Sequence, residues 1–526
     1  MKMNFARTMG NLAVRFGDRE ALVNIERQRR YTFRELHALT NRIVNMMRDR
    51  LQLRRGDIGL CILENDNIAL LHAWTALKGN AALAYTNYRD AQEEHRWQVD
   101  FIRPKVVFIE NALLDRYFDM LRGQGVTVVC MDPPASLPAV QHEGLLYFWD
   151  LLDGVSDENP GIENDMREDA LVYRFTGGTT GKSKCAAYTM DNWMAMRDSM
   201  YMESEQVYDA DTRFLHMAPI SHGSGLGLLP TLFRGGCTVT QNIPDLAQLC
   251  RNIEAEKITN TLLVPTMIYR ILEMPEATQY DLSSLRTLAY GAAPMSPAKL
   301  RQAQQRFGNI FMQIYGATEI LHAVGLLGKA DHLTASDKQL GSAGRIVPGV
   351  EIMVVDEEGK ELPQGSTGEI WLRCRGTISG YYNDPEATAA EFLNGFWKSG
   401  DLGYIDDEGF LYLVDRKKDM IITGGFNVYA VEVEAALNSH PAVSNSAVIG
   451  VPHEEWGEAL HAEVVVKAGA QVTVDELIAH VKGRLGRFKI PKSIVFVEAL
   501  PVSVVGKVLR RQVREKYWEG KGRRVS

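Results

Sequence analysis

Eleven residues, Phe175-Thr176-Gly177-Gly178-Thr179-Thr180-Gly181-Lys182-Ser183-Lys184-Cys185, gather three glycines, three threonines and two lysines. Glycines let backbone N–H groups turn toward a ligand with no Cβ in the way, and threonine hydroxyls and lysine ammoniums complete a cradle for an anion. The chemistry served by that composition is phosphate binding. The spacing is not that of a Walker A loop, which places four residues between its first glycine and the Gly-Lys pair. Here only three separate Gly177 from Gly181. Taken alone, the stretch reads equally well as a surface loop without a ligand.

More polar stretches follow apolar runs of strand length. Residues 214–218 lead into Ser221-His222-Gly223-Ser224-Gly225, and 261–264 end at Pro265-Thr266. Residues 288–290 end at Gly291-Ala292-Ala293, and 311–315 at Gly316-Ala317-Thr318-Glu319. Small and polar residues beyond successive strand ends are where an open parallel sheet binds ligands, although each stretch alone is also what a plain turn requires. Further on, Asp401 lies among glycines and Arg416 precedes two lysines. A carboxylate beside glycines can hold a pair of ribose hydroxyls, and an arginine can hold these or a phosphate. The two also read as a structural ion pair. Lys507 follows Gly506 in a basic C-terminal stretch whose other reading is a solvated tail.

These groups need a scaffold, and the patterning supplies one. Thr32 and Glu35 have the spacing of a capping box, which predicts a helix starting at 33. Apolar runs at 58–63 and 106–109 with helical stretches between them predict parallel βαβ units. His72 and His95, in this part of the chain, read as core histidines. Alternating patterns between glycine-bearing turns predict a small, mostly antiparallel β subdomain over 351–416. Helices at 428–437 and 474–485 and strands at 447–451, 462–466 and 493–497 predict a separate α+β unit. The fold class is α/β, with a large N-terminal domain over 1–416 and a small C-terminal domain over 417–526. The large domain comprises α/β stretches at 1–165 and 170–350 and the β subdomain.

At 526 residues the chain is too long for one core. It is 45% hydrophobic and 24% charged, with a formal charge of -8. That mildly acidic balance provides no electrostatic ground for a nucleic-acid partner. No apolar run reaches the roughly 18 residues of a membrane span, and residues 1–7 lack the apolar core of a signal peptide. Six scattered cysteines without a Cys-x-x-Cys pair fit reduced thiols in the cytoplasm better than a disulfide frame or a zinc site. The expectation is a cytoplasmic protein with no transmembrane segment; a homodimer is compatible with the sequence.

In chain order, the loop 175–185, Tyr315-Gly316-Ala317-Thr318-Glu319, Gly400-Asp401-Leu402-Gly403, Asp415-Arg416-Lys417-Lys418-Asp419 and Gly506-Lys507 resemble the adenylate-forming superfamily of acyl- and aryl-CoA synthetases, peptide-synthetase adenylation domains and firefly-type luciferases. The resemblance covers nearly the whole chain. It implies that the C-terminal domain is mobile, with Lys418 as its hinge. It implies that Thr176, Gly177, Gly178, Thr179, Thr180, Gly181 and Lys184 hold the ATP triphosphate. Thr318 would touch phosphate, and Glu319 would hold Mg²⁺. Gly291, Ala292 and Ala293 would line the adenine slot, Tyr315 would stack on the base with Gly316 also among the nucleotide-binding residues, and Asp401 and Arg416 would take the ribose. Lys507 would reach the carboxylate and α-phosphate, and His222 would border the acyl pocket. Gly424, Gly425, Trp456 and Phe488 resemble positions flanking coenzyme A in CoA ligases; core packing is the other reading of the two aromatics. The sequence departs from the usual phosphate loop at Gly177, Ser183 and Cys185, where serine, proline and glycine are usual. Cys185 in place of glycine raises the question of a backbone conformation that glycine finds easier.

The expected activity is that of an AMP-forming acyl-CoA synthetase using ATP, Mg²⁺ and coenzyme A, as in fatty acid metabolism. An acyl-AMP ligase or adenylation module loading a carrier protein is the alternative. Gly223, Gly225 and Gly227 with the apolar run 226–233 suggest a roomy acyl pocket for a fatty, aryl or alicyclic acid. No arginine or lysine stands in these motifs to receive a second carboxylate, which disfavours malonate-like acids.

Overall fold

The computed structural model describes residues 1–131, 142–176, 183–202, 208–417, 419–423, 426–503 and 506–519. Two sheets organise the first 350 residues. One has seven strands, in the order Cys185–Thr189, Ala170–Phe175, Ala82–Tyr85, Ile58–Ile62, Val106–Ile109, Thr127–Cys130 and Leu146–Tyr147. All its neighbours are parallel except the pair 170–175 and 185–189, which is antiparallel with Phe175 opposite Cys185.

The other sheet has nine strands, in the order Arg345–Ile346, Ile320–Leu327, Phe311–Ala317, Thr287–Gly291, Asn260–Leu263, Arg213–His216, Cys237–Thr240, Glu20–Asn24 and Arg29–Thr32. Its six central strands run parallel and its edges antiparallel. The stretches 1–165 and 170–350 therefore exchange strands: Glu20–Asn24 and Arg29–Thr32 complete the nine-stranded sheet, and Ala170–Phe175 and Cys185–Thr189 complete the seven-stranded one.

The largest hydrophobic cluster lies between them, with Leu83, Tyr85 and Val172 from one sheet and Phe214, Met312 and Leu321 from the other, and with Trp74 and Trp193 contributed by helices. The helix Phe33–Asp49 starts where its capping box requires, with Glu35 N–H donating to Thr32 Oγ1 at 3.2 Å and Thr32 N–H to Glu35 Oε2 at 2.9 Å.

A buried polar joint ties the two sheets together. Asn65, at the start of the helix Asn65–Leu71 just after the strand Ile58–Ile62, donates to Ala218 O at 3.1 Å and Gln241 O at 2.9 Å, and its Oδ1 accepts from Ile220 N–H at 2.9 Å. Removing this amide strands several buried carbonyls and an N–H. Asn65→Ala is expected to cost about 2–3 kcal/mol of unfolding free energy, read from urea melts; no change in midpoint would show that the joint carries no load.

Residues 351–416 hold a five-stranded antiparallel sheet built from Glu351–Val355, Gly368–Arg373, Phe392–Leu393, Phe396–Ile405 and Leu411–Arg416. The C-terminal part has its own five-stranded sheet and its own core of Val433, Leu437, Leu460, Val464 and Leu477. The final helix, Arg510–Trp518, is tied back to the segment joining the two parts. Arg510 pairs with Glu434, with Asp415 at 3.6 Å and with Asp419 at 3.9 Å. Burial pushes the Asp415 carboxyl up to about 6 against the pull of Arg510.

No described helix is long and apolar enough to cross a membrane. All six cysteines are free thiols, five of them buried.

Candidate active site

Three groups of expected residues meet along the carboxyl edge of the nine-stranded sheet and the adjoining hairpin. The first frames the phosphate loop. Thr176 N–H donates to Lys184 O at 2.8 Å, and Lys184 N–H donates to Thr176 Oγ1 at 3.0 Å, so the loop is pinched at its base. Gly177, Gly178, Thr179, Thr180 and Gly181 lie outside the described residues. Cys185 is extended within a strand and its carbonyl accepts from Tyr382 N–H at 2.8 Å, so the departure from glycine costs no backbone strain. Ser183 donates to Glu94 Oε1 at 2.6 Å.

The Lys184 ammonium pairs with Glu391 and lies 5.0 Å from the centroid of the Tyr381 ring. The Tyr381 hydroxyl stands between two carboxylates, 2.8 Å from Glu319 Oε1 and 2.5 Å from Glu391 Oε2. One phenolic proton serves one carboxylate at a time; the Lys184 ammonium answers Glu391, and Glu319 has no cation paired with it among the described residues. Burial, foremost, raises Glu319 above the ordinary carboxylate range, and the negative charge of Glu391 adds to it. Two carboxylates and a phenol form an all-oxygen donor set of the kind a hard cation prefers. Tyr188, from the strand leaving the phosphate loop, donates to Thr318 O at 2.6 Å and fixes the tip of the hairpin that carries Glu319.

Tyr381 and Glu391 escaped the sequence reading, which assigned their stretch to the β subdomain. An acidic residue closing the helix Pro385–Glu391 carries no local sign of its partner. If Lys184 serves polyphosphate, Glu391 competes for its ammonium, and Glu391→Gln is then expected to lower the KM for ATP about two- to fivefold, the scale of one weakened, partly exposed charge contact. Pyrophosphate release at saturating Mg²⁺ measures it, and a raised KM would mean that Glu391 supports nucleotide binding instead.

The second group joins the sheet to the β subdomain. Tyr315 donates from its hydroxyl to Asp401 Oδ2 at 2.7 Å, and Arg416 Nε lies 3.0 Å from Asp401 Oδ1. The ion pair and the ribose reading thus involve the same two side chains, and Tyr315, expected to stack on the base, is bonded to one of them. Gly291 ends its strand beside Ile314, where a Cβ would come within 2.2 Å of the Ile314 carbonyl oxygen; Ala292 follows in the left-handed region at φ 63°. Ala293 is half-buried, Ala292 is exposed, and Gly316 is exposed within the strand bearing Tyr315.

The third group comes from the C-terminal part. The turn carrying Lys507 is closed by Ser503 N–H donating to Lys507 O at 2.7 Å, and Gly506 takes the turn conformation at φ 80°. Thr266 Oγ1 donates to Gly506 O at 2.9 Å. This stretch is therefore docked on the first turn of the helix Pro265–Glu273, which follows the strand Asn260–Leu263, and is not a free tail.

His222 is half-buried in the turn after the strand Arg213–His216, and its Nδ1 lies 3.0 Å from Ser221 O. Burial, then the charge of Arg174, pushes the imidazole down to about 4, so it is neutral at pH 7. Arg174 itself is buried and donates from Nε to Ser221 O at 2.8 Å. Sequence motifs place no cation near the acyl turn, because nothing local to Arg174 marks it as a neighbour of Ser221.

Trp456 and Phe488 do not meet. Trp456 stacks on His453 at 4.4 Å with Lys492 over it, whereas Phe488 stacks on Phe426 at 4.9 Å. Phe488 and Phe426 are 41% and 56% exposed, which excludes core packing for that pair. Lys418, Gly424 and Gly425 lie outside the described residues. The tightest carboxylate cluster elsewhere, Glu64, Asp66 and Glu110, is filled by Arg27, whose guanidinium lies 2.5–3.0 Å from all three.

Comparison with known proteins identifies the family. The AMP-binding enzyme family matches residues 11–382, and the AMP-binding enzyme C-terminal domain matches 432–507. The chain is 40% identical over 374 residues to the medium/long-chain fatty acid–CoA ligase FadD8 of Mycobacterium tuberculosis, an alignment spanning 70% of this chain and 65% of that protein. It is 37% identical over 370 residues to a feruloyl-CoA synthase of Amycolatopsis, spanning 70% of this chain and 73% of that one. ATP-bound MatB from Rhodopseudomonas palustris superimposes with a TM-score of 0.86 at 28% identity, over 99% of this chain and 100% of that one. The chain belongs to the AMP-binding enzymes, the adenylate-forming superfamily.

Proposed function

We propose that this enzyme is an ATP-dependent carboxylate–CoA ligase. In the first half-reaction an acid oxygen attacks the α-phosphorus of ATP, and pyrophosphate leaves. In the second, the sulfur of coenzyme A attacks the acyl carbon of the acyl-AMP; AMP leaves with the bonding electrons, and the thiol proton is lost to solvent. The observation that carries this reading is the convergence of Lys184 and Glu319, Tyr315 with Asp401 and Arg416, and the docked Lys507 turn on one sheet edge. That grouping serves the triphosphate, the nucleoside and the reacting carboxylate respectively.

Mg²⁺ fits the oxygen set of Glu319, with Glu391 and Tyr381 beside it, and when bound it neutralises charge developing on the phosphates. Thr176 and Lys184 hold the phosphate oxygens with the loop between them. Gly291, Ala292 and Ala293 leave a flat edge for adenine, and Asp401 exchanges its bond to Arg416 or Tyr315 for the ribose hydroxyls. His222, kept neutral, borders the acyl chain without adding charge. The C-terminal part, from about residue 417, turns between the half-reactions and brings the Phe426–Phe488 face and Trp456 toward coenzyme A. The acid is of the fatty, aryl or alicyclic kind, consistent with the fatty-acid and feruloyl relatives. The protein works in the cytoplasm.

The test is incubation with MgATP and a panel of acids graded by length and aromaticity, with and without coenzyme A, following pyrophosphate, AMP and thioester. Stoichiometric AMP and acyl-CoA are expected. Pyrophosphate release with acyl transfer only to a phosphopantetheinylated carrier protein would replace the CoA ligase reading with carrier loading.

A further inference from the structure

The turn that carries His222 is gripped from three sides by buried polar side chains for which the nucleotide chemistry has no use. From the seven-stranded sheet, Arg174 holds Ser221 O through Nε at 2.8 Å. From the helical segment after Asn65, the His72 ring lies against Gly225, where an added Cβ would sit 3.1 Å from His72 Nε2. From the nine-stranded sheet, His216 Nδ1 meets Ser224 Oγ at 2.9 Å. Trp193 stands edge-on to His72 at 5.2 Å between centroids. Arg174 is 4% exposed, and His72, His216 and Trp193 are fully buried.

Supporting a turn does not exhaust these groups. Both nitrogens of His72, Nε2 of His216 and Nε1 of Trp193 have no hydrogen-bond partner among the described residues. The Arg174 guanidinium lies over the Tyr188 ring, 6.0 Å from its centroid, but forms no ion pair among the described residues; its one hydrogen bond there uses Nε and neither terminal nitrogen. Buried polar groups are paired in the great majority of cases, and a buried cation without an anion is among the costliest exceptions. Burial, and then the charge of Arg174, keeps His72 neutral, so the set is one cation and neutral ring nitrogens with no carboxylate among them. Such a set matches an oxygen that accepts hydrogen bonds.

We infer that Arg174, backed by His72 and Trp193, is a specificity-determining residue that recognises a hydrogen-bond-accepting oxygen on the tail of the acid, a ketone or a second carboxylate. The inference rests on the ligase reading, in which the His222 turn borders the acyl chain. A plain hydrocarbon tail leaves the guanidinium unpaired, so discrimination comes from a buried polar group that only an oxygen-bearing acid can satisfy.

Octanoate, 7-oxooctanoate and octanedioate serve as length-matched probes, with CoA-dependent AMP formation as the readout. Wild type is expected to prefer at least one oxygen-bearing acid over octanoate by about tenfold or more in kcat/KM. Arg174→Met abolishes that preference, chiefly through KM, and Arg174→Lys restores part of it. Preference for octanedioate alone assigns the site to an anion; preference for the ketone as well assigns it to oxygen in general. Equal losses on all acids in a variant with an unchanged melting temperature overturn the inference, because a purely supporting role predicts that pattern. Should Arg174→Met fail to fold, calorimetric titration of wild type with each acid and a non-hydrolysable ATP analogue decides the matter: octanoate binding as tightly as both oxygen-bearing acids overturns it. The parent reading is separated by wild-type turnover. Turnover without preference defeats the subsite alone, whereas no turnover on any acid of the graded panel defeats the ligase assignment and the subsite together.

Discussion

Lys507→Ala is expected to slow acyl-adenylate formation by roughly 10²–10³-fold, the ~3–4 kcal/mol contributed by one preorganised charge at a developing oxyanion. The structure makes this a specific expectation, because Gly506, next to Lys507, is docked on Thr266 in the first turn of the helix that follows a central strand of the nine-stranded sheet. Docking holds the Lys507 backbone at that edge, which would keep reorganisation small if its ammonium acts on the carboxylate and α-phosphate. Supplied with synthetic acyl-AMP and coenzyme A, the same variant should form thioester at close to the wild-type rate, because that step follows departure of pyrophosphate. A variant equally slow in both assays with its fold intact, or normal in both, would mean that Lys507 does not act in adenylation.

Glu319→Gln is expected to reduce adenylation by about 10²-fold at limiting Mg²⁺, since the amide is a weaker ligand for a hard cation than a carboxylate. It also relieves the crowding of two carboxylates around the Tyr381 hydroxyl, so the variant protein should be no less stable than wild type. Loss of activity without loss of stability is the signature to seek in parallel rate and melting measurements. The pH profile provides a second check. Burial and the charge of Glu391 raise the metal-free carboxyl above its ordinary range, so protonation competes with Mg²⁺ and the acid limb of the adenylation rate should move to lower pH as Mg²⁺ is raised. Near-normal turnover at limiting Mg²⁺ would remove Glu319 from the metal site.

Much of this was legible in the chain itself, for physical reasons. The strands leading to Gly291 and Tyr315 announce themselves by apolar runs that stop at small residues, because parallel strands buried on both faces must be apolar and their ends must be open. The Thr32–Glu35 cap is local, and local chemistry is readable. What stayed hidden is pairing at a distance. Nothing around Glu391 specifies Lys184, 207 residues away, and nothing around Arg174 specifies the Ser221 carbonyl. Asn65 looks like a surface residue until it is found bonded to carbonyls more than 150 positions along the chain. Periodicity tells a strand from a helix, but it does not say which sheet receives the strand. The hairpin 20–32 therefore read as part of the first α/β stretch, although it completes the other sheet.

That displaced hairpin has a consequence for synthesis on the ribosome. The seven-stranded sheet has all its strands once residue 189 has emerged, but Asn24 and Thr240, which meet in the nine-stranded sheet, lie 216 residues apart. At translation speeds of about 5–20 residues per second, the first of these strands waits roughly ten to forty seconds for its neighbour. During that interval Ala21, Leu22 and Val23, each at most 1% exposed in the finished molecule, face solvent on a nascent chain. The N-terminal hairpin is the segment a holding chaperone would occupy, and slowing the ribosome between residues 190 and 240 would lengthen its exposure and lower the yield of folded enzyme.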